Sequence, residues 1–195
     1  MTDPLEKLFG SQARVKLLRL FLFNPRHAFT LPEAAQRARI REREARREIN
    51  LFLKAKVLKK VRRPARARGA RFALNDEFEY RATLQQLLLN AQERGEDIYE
   101  ALKRSGAIKL LILSGIFTDE WEGRLDLFIV GDRVKESKLR ERIRRLESEI
   151  GKELRYTILS SEDFFYRLNM NDHLVRDVFD YPHRIVADRL NIGLK

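Results

Sequence analysis

The sequence predicts an α+β protein in three parts: a basic helical unit ending in a hairpin, a helical connector, and a small mixed-sheet domain. Three observations predict it. Apolar residues recur every three or four positions in the helical stretches before residue 104, then gather into strand-length runs around an amphipathic helix. The net charge of +11 in 195 residues is held unevenly: residues 1–80 carry 20 Lys+Arg against 9 Asp+Glu, and residues 81–195 carry 20 of each. A composition 44% hydrophobic and 35% charged belongs to a globular chain with a core rather than to a disordered one. Boundaries are expected near residues 77 and 104, giving segments 1–77, 78–104 and 105–195.

Charge that merely confers solubility would be spread over the whole surface. Its confinement to the first eighty residues points to a polyanionic partner for that segment alone. The chain has no cysteine, so a disulfide framework and a thiolate zinc site are excluded, in keeping with a reducing interior. No apolar run approaches the roughly 18 residues of a membrane span. The first ten residues carry acids and no apolar stretch of the signal-peptide kind. A cytoplasmic protein without membrane contact is expected.

The elements of the first segment follow in order. Leu5, Leu8, Phe9, Val15, Leu17, Leu18, Leu20 and Phe21 predict helix up to Asn24-Pro25, where proline stops it. Ala28-Phe29-Thr30 suits one short strand. Thr30-Leu31-Pro32-Glu33 reads as a capping box opening a short helix over 31–39. A second helix over 41–55 turns Ala45, Ile49, Phe52 and Leu53 inward and Arg43, Arg47, Asn50 and Lys54 outward, with Arg46 and Glu44 at the flanks. Arginine can reach guanine edges and asparagine adenine edges in a major groove about 12 Å wide, while Lys54 suits phosphate. Two β-capable runs, 57–61 and 70–74, then flank a Pro/Gly-punctuated loop carrying Arg62, Arg63, Arg66 and Arg68, with Arg71 beyond it. From Lys54 to Arg71 there are nine cations and no acid, a pattern suited to phosphates or a narrow minor groove.

This order, and above all Ala45-Arg46-Arg47-Glu48-Ile49-Asn50 running on to Val57-Leu58, resembles the winged-helix transcription regulators of the ArsR and MarR kind. The resemblance covers about residues 8–75 and implies a winged helix-turn-helix that binds double-stranded DNA. Lys56 stands where many members of these families have a glycine. A solvated helix face or a protein-docking module is the plainer alternative, but solvated faces normally mix charge signs.

The connector is expected to be helical from 78 to about 94, with Leu84, Leu87, Leu88 and Ala91 on one stripe, and again over 97–103 after Gly95. That stripe either packs on the chain itself or forms a homodimer interface; the dimer is favoured because winged helices commonly read paired half-sites. In the last segment, strands are expected at 107–113, 125–130 and 154–159, with an amphipathic helix over 135–151. Another helix should start at Ser160-Ser161-Glu162-Asp163, and residues 183–187 could form a final strand.

Leu113-Ser114-Gly115, Gly123 through Gly131, and Arg155 through Phe164 make this segment resemble the minimal nucleotidyltransferase fold over about residues 107–190. Active members hold two divalent cations between an Asp-x-Asp pair and a third acid, behind a Gly-Ser phosphate loop. Here the loop reads Ser114-Gly115, Arg124 replaces the first acid beside Asp126, and Arg155 or Thr157 falls near the third. An arginine beside a lone aspartate repels Mg²⁺ and favours an ion pair. The resemblance therefore implies a catalytically inactive domain serving dimerisation or the sensing of a nucleotide or small anion, with Ser114, Gly115, Arg124 and Asp126 as the candidate ligand pocket. An active nucleotidyltransferase recruiting Asp119, Glu120 or Asp132 is the alternative. Trp121 and Phe117 could stack on a base there. His27, His173 and His183 lack ligand spacing, no phosphate-cradling glycine loop appears, and no metal or cofactor is expected.

Overall fold

The computed structural model describes residues 4–61, 69–90, 95–118, 120 and 123–192. It is mixed α+β with two small sheets, in two compact units. One comprises Met1–Glu93 and Arg145–Lys152, the other Arg94–Arg144 and Glu153–Lys195.

The first unit opens with α1 (Pro4–Phe9) and α2 (Gln12–Leu22). The apolar spacing predicts one continuous helix here, and the structure corrects it. Gly10 takes φ +70°, and the Ser11 hydroxyl accepts from the Arg14 amide to start α2 afresh. β1 (Phe29–Thr30) leads into α3 (Leu31–Ala38), opened by the expected capping box: the Glu33 amide donates to Thr30 Oγ1 and the Thr30 amide to the Glu33 carboxylate at 2.7 Å. α4 (Glu42–Lys54) follows, then β2 (Leu58–Val61) and β3 (Arg71–Leu74), forming an antiparallel sheet of order β1-β3-β2. Alanines 34, 35 and 38 line the buried side of α3 and let it approach its neighbours closely. Phe21 meets Phe29 edge to face at 5.6 Å, and Ile49, Phe52, Phe72 and Leu74 complete the core.

The connector divides. α5 (Arg81–Asn90) belongs to the first unit, where Gln85 donates to the Leu22 carbonyl at 2.7 Å and Leu88 is fully buried. Leu84 is half-buried and Leu87 is exposed, so the described part of the leucine stripe is only partly turned into its own unit. Ala91 lies outside the described residues. α6 (Gly95–Leu102) belongs to the second unit. Residues 145–152 group with the first unit through Lys16, 2.7 Å from Glu149, and Asn24, which donates to the Gly151 carbonyl.

In the second unit, β4 (Ala107–Leu113), β5 (Leu127–Asp132), β6 (Tyr156–Leu159) and β7 (Arg184–Asp188) form a mixed sheet of order β6-β5-β4-β7. β5 and β6 are parallel, joined by α7 (Glu136–Ile150), and the remaining pairs are antiparallel. Leu110, Ile112, Phe128 and Val130 share one face and meet Phe164 of α8 (Ser161–Asn169) with Val175 and Val178 of α9 (His173–Asp180). Their neighbours Leu111 and Ile129 point to the other face and are equally buried. Among the described residues no helix is long and apolar enough to cross a membrane.

Lys56 closes α4 in the left-handed conformation at φ +57°. Its amide donates to Leu53 and the Val57 amide to Phe52, the double bond of a Schellman end. Arg39 ends α3 the same way at φ +52°. A left-handed L-residue costs about 1–2 kcal/mol, of which glycine's freer unfolded chain returns about half. Lys56→Gly is therefore expected to raise stability by about 0.5–1 kcal/mol in urea unfolding, and Lys56→Val to lower it.

Candidate functional site

α4 is held by its inner face. Ala45, Ile49 and Phe52 are buried, and Glu48 lies among them, a charge inside the apolar stripe that periodicity alone assigns to no role. Its carboxylate accepts from Arg14 Nε at 2.8 Å and from the Ser11 hydroxyl at 3.3 Å. Arg14 in turn donates to the Phe9 carbonyl at 2.7 Å. The ion pair thus ties the α1–α2 junction to the underside of α4.

The outer face carries Arg43, Arg46, Arg47, Asn50 and Lys54, all exposed. Arg47, with its side chain 76% exposed, lies 3.4 Å from Glu48. Arg43, Arg46 and Lys54 form no ion pair with any described residue. Thirteen helical residues span about 20 Å, and a helix about 10–12 Å across fits a major groove about 12 Å wide. On the sheet, Lys60 is exposed and Lys59 pairs with Asp76 at 2.5 Å. Arg71 departs from the expectation of a DNA contact. Its guanidinium donates twice to the Ala28 carbonyl and faces Glu33 at 4.0 Å, holding β3 to the start of α3. Arg62, Arg63, Arg66 and Arg68 lie outside the described residues.

In the second unit the expected pocket residues take different roles. Asp126 is fully buried. One oxygen accepts from the Ile116 amide at 3.1 Å and Arg155 Nη2 at 2.9 Å; the other accepts from the Arg155 amide at 2.8 Å and Arg155 Nε at 3.0 Å. The ion pair expected beside Asp126 exists, but its arginine is Arg155. Arg124, 87% exposed, turns instead to Asp177 at 2.9 Å. The Ser114 hydroxyl donates to the Leu125 carbonyl. Gly115 has φ +57°, and a Cβ there would stand 2.3 Å from an Asp126 oxygen. Ser114, Gly115 and Asp126 are therefore buried and engaged in hydrogen bonds within the protein, and Arg124 turns away from them to Asp177. Asp126 also holds the Arg155 guanidinium above the ordinary arginine range through these hydrogen bonds.

Asp132, considered as a recruited metal ligand, instead accepts from Lys109 at 2.6 Å and from both the amide and hydroxyl of Ser161 at 3.0 Å. The Lys109 bond above all, then the Ser161 amide, holds its carboxyl down to about 2. Glu120 is exposed, and Asp119 and Trp121 lie outside the described residues. Among the described residues no three His, Asp or Glu side chains cluster as a metal site would require. Comparison with protein-family models, with curated proteins and with solved structures finds no match.

Two outcomes are expected. Arg155→Met leaves the buried Asp126 carboxylate with backbone donors alone, and should cost about 3 kcal/mol in urea unfolding, the lower end for a broken buried pair because Arg155 is partly exposed. Asp132 has its pKa depressed on folding, so its contribution is complete above the unfolded carboxyl value and is lost as pH falls towards 2. Between pH 4 and 2 the melting temperature of Asp132→Asn should consequently fall less steeply than that of the parent chain.

Proposed function

We propose that this chain is a cytoplasmic, DNA-binding transcription regulator whose first unit is a winged helix reading duplex DNA, acting as a homodimer. The observation that carries the reading is the outer face of α4: five exposed polar or cationic side chains, three of them cations without an acidic partner among the described residues, on a helix that follows a short helix across a tight turn. Arg43, Arg47 and Asn50 enter the major groove with Arg46 at the flank of that face, and Lys54 meets phosphate. Arg62, Arg63, Arg66 and Arg68, in the sequence between β2 and β3, meet phosphates or a narrow minor groove. The element order α2, β1, α3, α4, β2, β3 supports the same reading.

The second unit, whose sequence resembles the minimal nucleotidyltransferase fold over about residues 107–190, serves dimerisation or ligand sensing rather than nucleotidyl transfer. The four hydrogen bonds received by Asp126 support this, because a carboxylate so engaged has little left for a divalent cation. Since Ser114 and Asp126 are engaged within the protein, dimerisation is favoured over a nucleotide or small-anion effector at those residues.

Fluorescence anisotropy with duplex DNA tests the reading. Affinity should fall steeply with salt, and Arg66→Ala should reduce the salt slope by about one unit. Arg47→Ala should cost about 1–3 kcal/mol and relax preference at one base position of a site selected from random duplexes. Absence of binding to every duplex in dilute buffer would sink the assignment.

A further inference from the structure

The two edges of the second unit's sheet differ. β7 is guarded in the way edge strands usually are: it carries Arg184 and Asp188 at its ends, and the Asp188 carboxylate accepts from the Leu190 and Ile192 amides just beyond it. β6 reads Tyr156-Thr157-Ile158-Leu159, with no charge, no proline and an unbroken register against β5. Its backbone directions follow from its first neighbour. The Arg155 amide donates to Asp126 and the Arg155 carbonyl accepts from the Asp126 and Leu127 amides, so Arg155 faces β5. Strand alternation then turns Thr157 toward β5, and leaves the N–H and C=O groups of Tyr156 and Ile158 pointing away from the sheet. Among the described residues no hydrogen bond reaches those four groups.

Directly after β6 comes α8, whose buried side is Phe164. Away from that buried side the helix exposes Phe165 by 41% and Tyr166 by 65%, and Met170 at its C-cap is exposed by 66%. An unguarded edge and an aromatic helix face therefore adjoin in a segment of balanced charge, where residues 81–195 hold as many acids as cations.

We propose that β6 and α8 form the homodimer interface, with β6 pairing antiparallel to β6 of a second copy about a two-fold axis at Thr157. The edge is complementary to itself. An antiparallel hydrogen-bonded pair needs two residues whose backbone groups both point outward, and Tyr156 opposite Ile158 of the second copy supplies one on each side of the axis, giving four N–H···O bonds. Thr157 then faces its own counterpart as the close, non-hydrogen-bonded pair. A two-fold normal to the sheet places both α8 helices on the same face, flanking the axis, so their aromatic sides cover the joint. Four strand residues alone would make too small an interface for a stable dimer, and the helix faces supply the remaining area. This inference deepens the dimeric part of the proposed function by naming its surface. It does not require DNA, so its failure and that of the DNA reading are distinguishable.

The chain has no cysteine, which makes a single introduced thiol a clean probe. The Cα atoms of a non-hydrogen-bonded antiparallel pair lie about 4.5 Å apart, within disulfide reach. In the full-length protein, Thr157→Cys should oxidise to a covalent dimer of twice the 23.1 kDa chain mass, while Lys138→Cys on the exposed side of α7 should not. By sedimentation equilibrium the parent protein should be dimeric without DNA. Thr157→Lys, which sets two ammonium groups face to face, and Tyr166→Glu should each shift it to monomer with an unchanged circular dichroism spectrum. A parent chain that stays monomeric at all concentrations, whatever other peptide its β6 edge then accepts, overturns the proposal. So does a dimer that Thr157→Cys fails to cross-link and neither charged variant dissociates.

Discussion

A carboxylate beneath α4 sets the direction in which this helix presents its cations. Glu48 is buried among Ala45, Ile49 and Phe52, where an unpaired negative charge would cost several kcal/mol. Arg14 and Ser11 compensate it, and both stand at the junction of α1 and α2. Apolar contacts alone would let a helix rotate by a fraction of a turn at small cost, since one methyl group packs much like another. A charged hydrogen bond from a fixed arginine does not permit that rotation. The apolar residues hold α4 down, and the Glu48–Arg14 pair fixes which side of it faces outward.

Asp126 shows the same chemistry turned to a different end. A buried carboxylate at the head of a central strand can bind a hard cation if other acids converge on it, or it can be satisfied by donors. Here the neighbouring parallel strand delivers Arg155 to the adjacent register position, and its guanidinium and backbone amide take up both oxygens. Gly115 is part of that arrangement, because any side chain at its left-handed position would strike the carboxylate. The knot fastens the end of β4 to the starts of β5 and β6, so the charge contributes to holding the strands in place.

How much of this could be read in advance depended on whether the signal was local. The α4 face was legible because a 3.6-residue period sorts Ala45, Ile49 and Phe52 from Arg43, Arg47 and Asn50 without knowledge of any neighbour. The capping box at Thr30 and Glu33 was legible for the same reason. The leucine spacing runs through Gly10 and conceals the break there, although a glycine followed by serine is the ordinary signature of one helix ending and another starting. Arg14 with Glu48, and Asp126 with Arg155, were hidden because each pair is separated by about thirty residues and meets only through packing or strand register. The start of α9 had a local signal in Asp172, whose carboxylate caps the Leu174 amide, but it followed too closely on α8 to stand apart. Composition groups Arg71 with the cations that precede it, and only the pairing of Thr30 with Arg71 reveals that it serves the sheet.

The exposed cations of α4 carry an energetic consequence for the free protein. Arg43, Arg46 and Arg47 crowd one helical face within about 6 Å along its axis, inside the screening length of about 8 Å at physiological ionic strength. Their mutual repulsion opposes folding, and Glu42 and Glu44 sit at the N-terminal end, where they answer the helix dipole rather than the cations further along. Glu48, buried and shared with Arg14, reaches Arg47 alone. A fold optimised only for its own stability would place acids at the neighbouring exposed positions, which here are held by asparagine and leucine. On the proposed function that cost is offset on binding, because double-stranded DNA carries one negative charge for every 1.7 Å or so of its axis.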